Sequence, residues 1–212
     1  RPAGVFIPSS TPVPTLEPTW TPLPTDAPYV PPPPTDVPPP TATPAPVCDG
    51  YVFPANIASG DVAGLVDAIN HANDEICHPG TDTINLGGGN YSFTAANNTT
   101  DAANVLPVIT SGIVINGAGS AFRIQGELYA RYFVVNASLS LNNLELHDGN
   151  VGTANGGDIY NAGTLALNGV LVSSGTGENG GNIYNVGTVT VNASSIESGY
   201  AGTLGGNIYN TG

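Results

Sequence analysis

A chain of 212 residues with three Arg, no Lys and sixteen carboxylates has a formal net charge of −13. It cannot neutralise a phosphate backbone, so nucleic acid is excluded as a partner, and binding to an anionic membrane surface is disfavoured for the same reason. No run of roughly eighteen apolar residues exists to enter a bilayer, and with only 9% of residues charged solubility rests on Asn, Ser, Thr and Gly.

Proline and glycine divide the chain. Seventeen of the twenty prolines lie between Pro2 and Pro46, whereas only Gly4 of the twenty-eight glycines precedes residue 48. Residues 1–7 hold a short β-prone run, Val5-Phe6-Ile7, which a free tail would not need. Residues 8–47 can be neither helix nor central strand, because proline fixes φ and removes a donor. They are expected to form a polyproline II arm, about 120 Å long if fully extended. The plain reading of such an arm is a stalk or linker, O-glycosylated where Thr and Pro alternate.

Residues 48–80 read as a disulfide-closed helical cap. Cys48 and Cys77 are the only cysteines, and a bond between them closes a loop of about 30 residues, worth about 3–4 kcal/mol in the chain-entropy model. Two reduced, buried thiols are the alternative; the disulfide reading implies an oxidising, extracellular setting. His78 beside Cys77 has no second Cys/His pair at ligand spacing, so no metal is expected. Between Gly60 and Asn73, "GDVAGLVDAINHAN" places Val62, Leu65, Val66 and Ile69 on a 3.6-period stripe with Asp61 as N-cap.

Residues 81–212 are dominated by repeats. "IYN" begins at Ile159, Ile183 and Ile208; "IVIN", "LSLN", "LALN" and "VTVN" begin at Ile113, Leu139, Leu165 and Val189. The steps lie between 24 and 26 residues, and a third apolar strand follows each member of the second series. Three short strands per step, joined by Gly/Asn turns, describe coils of a parallel β-solenoid, here about five of them at about 4.8 Å. Ile113, Ile115, Leu139, Leu141, Leu165, Leu167, Val189 and Val191 should stack inward. Asn116, Asn142, Asn168 and Asn192 should form a ladder of side-chain amides, and Tyr160, Tyr184 and Tyr209 an outward aromatic column.

Residues 50–212 resemble bacterial secreted right-handed parallel β-helix proteins of the pectin-lyase-like superfamily. The "GG-x-I-Y-N-x-G" coils are similar to polymorphic outer-membrane-protein repeats, and the helix with the strand after it resembles the cap that opens many such surface proteins. The resemblance implies an all-β, right-handed parallel β-helix with one N-terminal capping helix, preceded here by the proline-rich arm.

Several members of that superfamily are polysaccharide lyases or hydrolases, which need clustered Ca²⁺ carboxylates with a basic residue, or carboxylates meeting across a cleft. Here Asp158 aligns with Asn182 and Asn207, and Asp148 and Glu178 fall in different turns. Arg123 and Arg131 lie a coil earlier; Glu127 with Arg131 reads as a surface ion pair and His147 beside Asp148 as a turn contact. "GGGN" and "GTGENGGN" lack the Asp positions of calcium repeats and read as turns with positive φ. No catalytic residue, metal or cofactor is expected.

The last copy, "GGNIYNTG", has no strand after it. Either the chain is a fragment of a longer solenoid or another molecule completes the coil. The sequence thus points to a non-enzymatic structural subunit of an extracellular filament or surface layer, a head-to-tail homopolymer. Val5, Phe6 and Ile7 would dock on a neighbour at Ile208 and Tyr209. The alternative is a fragment of a monomeric cell-surface adhesin or glycan-binding β-helix protein, with the arm as stalk. Asn90, Asn97, Asn98, Asn136 and Asn192 occupy N-x-S/T sequons and are candidate glycosylation sites.

Overall fold

The computed structural model describes residues 47–212. The docking segment Val5-Phe6-Ile7 and the arm up to residue 46 lie outside the described residues. The body opens with β1 (Ala55–Ile57), α1 (Val62–Ala72), β2 (Thr81–Leu86), β3 (Asn90–Phe93), β4 (Gly112–Ile124), β5 (Phe133–Val135) and β6 (Ser138–His147). It continues with β7 (Ile159–Asn161), β8 (Thr164–Asn168), β9 (Leu171–Ser173), β10 (Thr176–Asn179) and β11 (Ile183–Asn185). The last are β12 (Thr188–Asn192), β13 (Ser195–Glu197), β14 (Tyr200–Leu204) and β15 (Ile208–Asn210).

These strands form a parallel β-solenoid. One wall stacks six rungs in the order β1-β2-β4-β6-β8-β12, and a second stacks β5-β7-β11-β15. The far halves of β4 and β6, with β3, β9 and β13, make a third wall; β10 and β14 pair beside it. The sequence repeats and the structural register coincide: Leu139 faces Leu165 across one rung step, Leu165 faces Val189, and Ile159, Ile183 and Ile208 follow one another. The stack starts earlier than expected, because Ala55–Ile57 pairs with Ile84–Leu86 ahead of the helix. The segment 48–80 therefore contributes a rung as well as the helix.

Alternation within each strand sends Ile113, Ile115, Leu139, Leu141, Leu165 and Leu167 into the core, all essentially solvent-free. Each stabilises the fold by about 1.5–3 kcal/mol relative to exposure. The early coils are filled by Tyr91, Phe93, Phe122, Tyr132 and Phe133, whose neighbouring rings stand 5.4–6.3 Å apart. The corner after the first wall is turned by a left-handed residue: Ala118, Asn143, Gly169 and Ala193, at φ of 50°, 50°, 64° and 46°. Only Gly169 adopts that backbone without the roughly 1–2 kcal/mol a Cβ adds.

In α1 the Asp61 carboxylate accepts from the Gly64 N–H at 2.9 Å, as an N-cap should. Its buried face is Leu65, Ala68, Ile69 and Ala72, whereas Val62 and Val66 are only partly buried. The apolar stripe thus turns further toward the alanines than its large residues suggest, and the small side chains let the helix lie close to β1–β4. Asn73 fixes the C-terminal end by donating to the Val108 carbonyl at 2.7 Å and accepting from the Thr110 N–H at 2.8 Å.

Candidate functional site

The two ends of the solenoid are built differently. At the N-terminal end α1 lies over the first rungs, and Cys48 is bonded to Cys77 across a separation of 29 residues. At the other end β12, β13, β14 and β15 each pair, among the described residues, with one strand, on the side of the preceding coil. Among the described residues their outer backbone donors and acceptors have no strand partner, the condition that invites addition of another strand. The apolar columns are cut open there. Val189 is half-buried and Val191 is 42% exposed, where Leu165 and Leu167 one rung below are sealed. Leu204 is 50% exposed and Tyr200 68%, and Ile196, Ile208 and Tyr209 are half-buried.

Tyr160, Tyr184 and Tyr209 alternate with inward residues and stack face to face on the outer side of the second wall. Their centroids are 5.3 and 5.4 Å apart with interplanar angles of 24° and 16°. A rung of Val134 precedes them, and there the guanidinium of Arg131 covers the Tyr160 ring at 5.4 Å. Among the described residues Tyr209 stacks on no ring beyond Tyr184.

Three polar columns run up the stack. In the first, Asn116, Asn142, Asn168 and Asn192 each donate from Nδ2 to Oδ1 of the asparagine in the preceding coil, at 2.8–3.0 Å. Asn85, which donates to Asn56 at 3.2 Å, extends it downward. A second ladder has the opposite polarity: Asn161 donates to Asn185, and Asn185 to Asn210, at 2.5 Å. The repeated Asn of "IYN" was its signal. In the third column Asp158, Asn182 and Asn207 each accept, through Oδ1, from the N–H of Gly149, Gly175 and Gly199.

The sequons separate by environment. Asn90 and Asn136 are exposed, and the structure assigns their amides no side-chain bond. Asn98 is held by Asn104, Thr100, Leu106 and Asn97, and Asn192 is committed to the ladder. Asn97 is exposed, and its carbonyl accepts from Asn98 at 3.2 Å.

Two ionic readings are corrected. Arg131 is fully buried rather than at the surface, and Nη2 donates to Asp101 Oδ2 at 2.9 Å in place of Glu127. Burial lowers the Arg131 pKa, partly offset by Asp101. His147 does not engage Asp148: Nε2 meets Glu145 Oε2 and Nδ1 meets Ser173 Oγ, both at 2.8 Å. Asp148 lies instead 3.7 Å from Arg123. The Glu145–His147–Ser173 relay spans two coils and can polarise a hydroxyl. Ser173, however, is only 7% exposed. The N–H groups of Ser174 and Gly175 beside it are taken by the Glu197 carbonyl and Asn182, which leaves neither to hold an oxyanion.

Among the described residues no group of three His, Cys, Asp or Glu is arranged to hold a metal, and no helix is long and apolar enough to cross a membrane. No protein-family model, curated protein or solved structure matches this chain.

Proposed function

We propose that the chain is a non-enzymatic structural subunit of an extracellular filament or surface layer, extended head to tail by stacking on the open coil. The observation that carries this reading is the exposed strand edge and cut apolar column at Val189, Val191, Ile196 and Ile208. A further parallel rung would satisfy the main-chain groups of β12–β15, bury those side chains and continue both asparagine ladders. The last ring, Tyr209, offers the same continuation to the aromatic column. A heterologous contact of this kind does not close on itself and propagates as a fibre. The Val5-Phe6-Ile7 run is the segment of the chain suited to supply strand pairing to a neighbour. The extracellular setting is supported by the Cys48–Cys77 bond and by the resemblance to secreted β-helix proteins.

The rung that completes the coil can also come from further residues of a longer solenoid, as in a monomeric surface adhesin. Negative-stain microscopy of chain 1–212 beside a variant lacking residues 1–47 separates the readings. Filaments from the full chain and single particles from the deletion support stacking tethered by the arm. Filaments from both retain stacking and remove the arm from it. Single particles from both overturn the filament and favour the adhesin.

A further inference from the structure

Asp158 is the one carboxylate in a column that otherwise holds amides. It is completely buried, its Oδ1 accepts from the Gly149 N–H at 3.0 Å, and among the described residues its Oδ2 has no hydrogen-bond partner. One coil on, Asn182 has the same register and the same Oδ1 bond, to the N–H of Gly175 at 2.6 Å. Its other terminal atom is a donor, and Nδ2 reaches the carbonyls of Glu197 at 2.8 Å and Val172 at 3.3 Å. Ser173 and Leu146 are the rung partners of Glu197 and Val172. By register, Asp158 Oδ2 is therefore aimed at main-chain carbonyls, which a carboxylate oxygen cannot bond and a carboxylic O–H can.

Among the described residues no cation compensates a charge there. The Arg131 guanidinium is turned to Asp101, the Arg123 guanidinium lies against Asp148, and the His147 imidazole is held by Glu145 and Ser173. The buried Tyr132 hydroxyl donates to the carbonyls of Phe122 and His147. Asp148 is the charged neighbour that acts on Asp158, and it repels. An isolated buried carboxylate in this setting neutralises itself by taking a proton.

We propose that Asp158 is a neutral carboxylic acid at neutral pH, donating through Oδ2 to the coil wall as an asparagine would, and that its ionisation is a proton switch on the stability of the solenoid. The folded state holds a proton that the unfolded chain releases above about pH 3.9. Stability contributed by this proton is complete below that pH and falls as pH rises toward the folded-state pKa, which burial raises well above the ordinary carboxyl value. Across that window the unfolding constant rises by about tenfold per pH unit from this group alone. Asp158→Asn keeps the shape, supplies the donor permanently and cannot ionise.

The test is urea unfolding of the full chain and of Asp158→Asn from pH 4 to pH 9, with infrared spectra of both folded proteins at pH 7. The expected result is a ratio of the two unfolding constants that grows by about tenfold per pH unit within the window, with the variant the more stable at pH 8. A protonated-carboxyl stretch should appear at pH 7 in the wild type and be lost in the variant. The same pH dependence in both proteins, or a wild-type spectrum at pH 7 without that band, overturns the proposal. The spectrum needs only the wild-type protein and decides the matter even if the variant does not fold.

Discussion

Arg131 sits over the ring of Tyr160 at 5.4 Å while its Nη2 is bonded to Asp101 at 2.9 Å. One buried side chain thus closes the aromatic column where the preceding rung changes to Val134 and ties the Asp101 loop to the second wall. Among the described residues its Nε and Nη1 have no partner, so the stability it brings comes from the ring and from one ion pair. A cation desolvated on a tyrosine face is worth up to about 2 kcal/mol.

The matching experiment is a double-mutant cycle of Arg131→Met and Tyr160→Leu by denaturant unfolding. The coupling energy should be about 1–2 kcal/mol. Additive effects would show that Arg131 acts through Asp101 and packing alone.

The asparagine ladder should weaken with distance from its middle. Asn142 both donates to Asn116 and accepts from Asn168, so Asn142→Ala strands the Asn116 acceptor, leaves the Asn168 amide only the long contact to Ser140 at 3.4 Å and should cost about 1–3 kcal/mol. Asn192 is exposed and its side chain bonds, among the described residues, to Asn168 alone, so Asn192→Ala should cost about 1 kcal/mol or less. Equal losses in thermal or denaturant unfolding would mean that the ladder is not cooperative along the stack. If a neighbour completes the coil, Asn192→Ala should also reduce self-association.

The first wall was legible because its signal is periodic: Leu139, Leu165 and Val189 repeat at nearly constant step, and a side-chain period of two assigns inside and outside without ambiguity. The first rung was not, since Ala55–Ile57 is three residues long and stands ahead of the helix with no repeat partner. Arg131 was misread because the nearest acidic residue in sequence, Glu127, is not its nearest in space. Asp101 comes from 30 residues away on a loop turned by its own positive φ of 65°. The Glu145–His147–Ser173 contact arises only once His147 and Ser173 face each other across a rung. Local pattern reveals which residues stack; it does not reveal which polar groups meet between coils.

The Cys48–Cys77 bond should contribute about 3–4 kcal/mol through the denatured state, given a separation of 29 residues. A Cys48→Ser/Cys77→Ser double variant should unfold at lower urea with the solenoid spectrum unchanged beforehand. It should also lose protection of the α1 amides before that of the inner rungs, because the loop it closes contains α1 and β1 alone. Simultaneous loss of both would show that the cap and the stack are one cooperative unit.

His71 gives the cap its pH dependence. Its Nε2 lies 2.6 Å from Asp49 Oδ2, its Nδ1 lies 2.9 Å from the Asp67 carbonyl, and its ring stacks on Tyr51 at 3.9 Å. Both partners are acceptors, so only the imidazolium satisfies them together. Burial opposes that charge, but the bonds to Asp49 and the Asp67 carbonyl outweigh it and raise the His71 pKa. The Tyr51 N–H and then His71 lower that of Asp49. The His71 contribution is therefore complete below about pH 6.5 and is lost as pH rises through the folded value. The Asp49 contribution is present above about pH 3.9 and is lost as pH falls through its lowered value. The contact is strongest between those limits, and an NMR titration of the His71 ring should give a pKa above that of an unfolded histidine. Asp49→Asn should move it down, because the variant removes the charge and leaves Tyr51 and Asp67 in place. An unchanged titration in Asp49→Asn would assign the shift to the Asp67 carbonyl and deny Asp49 any part in holding the segment from Cys48 to Phe53 on the helix.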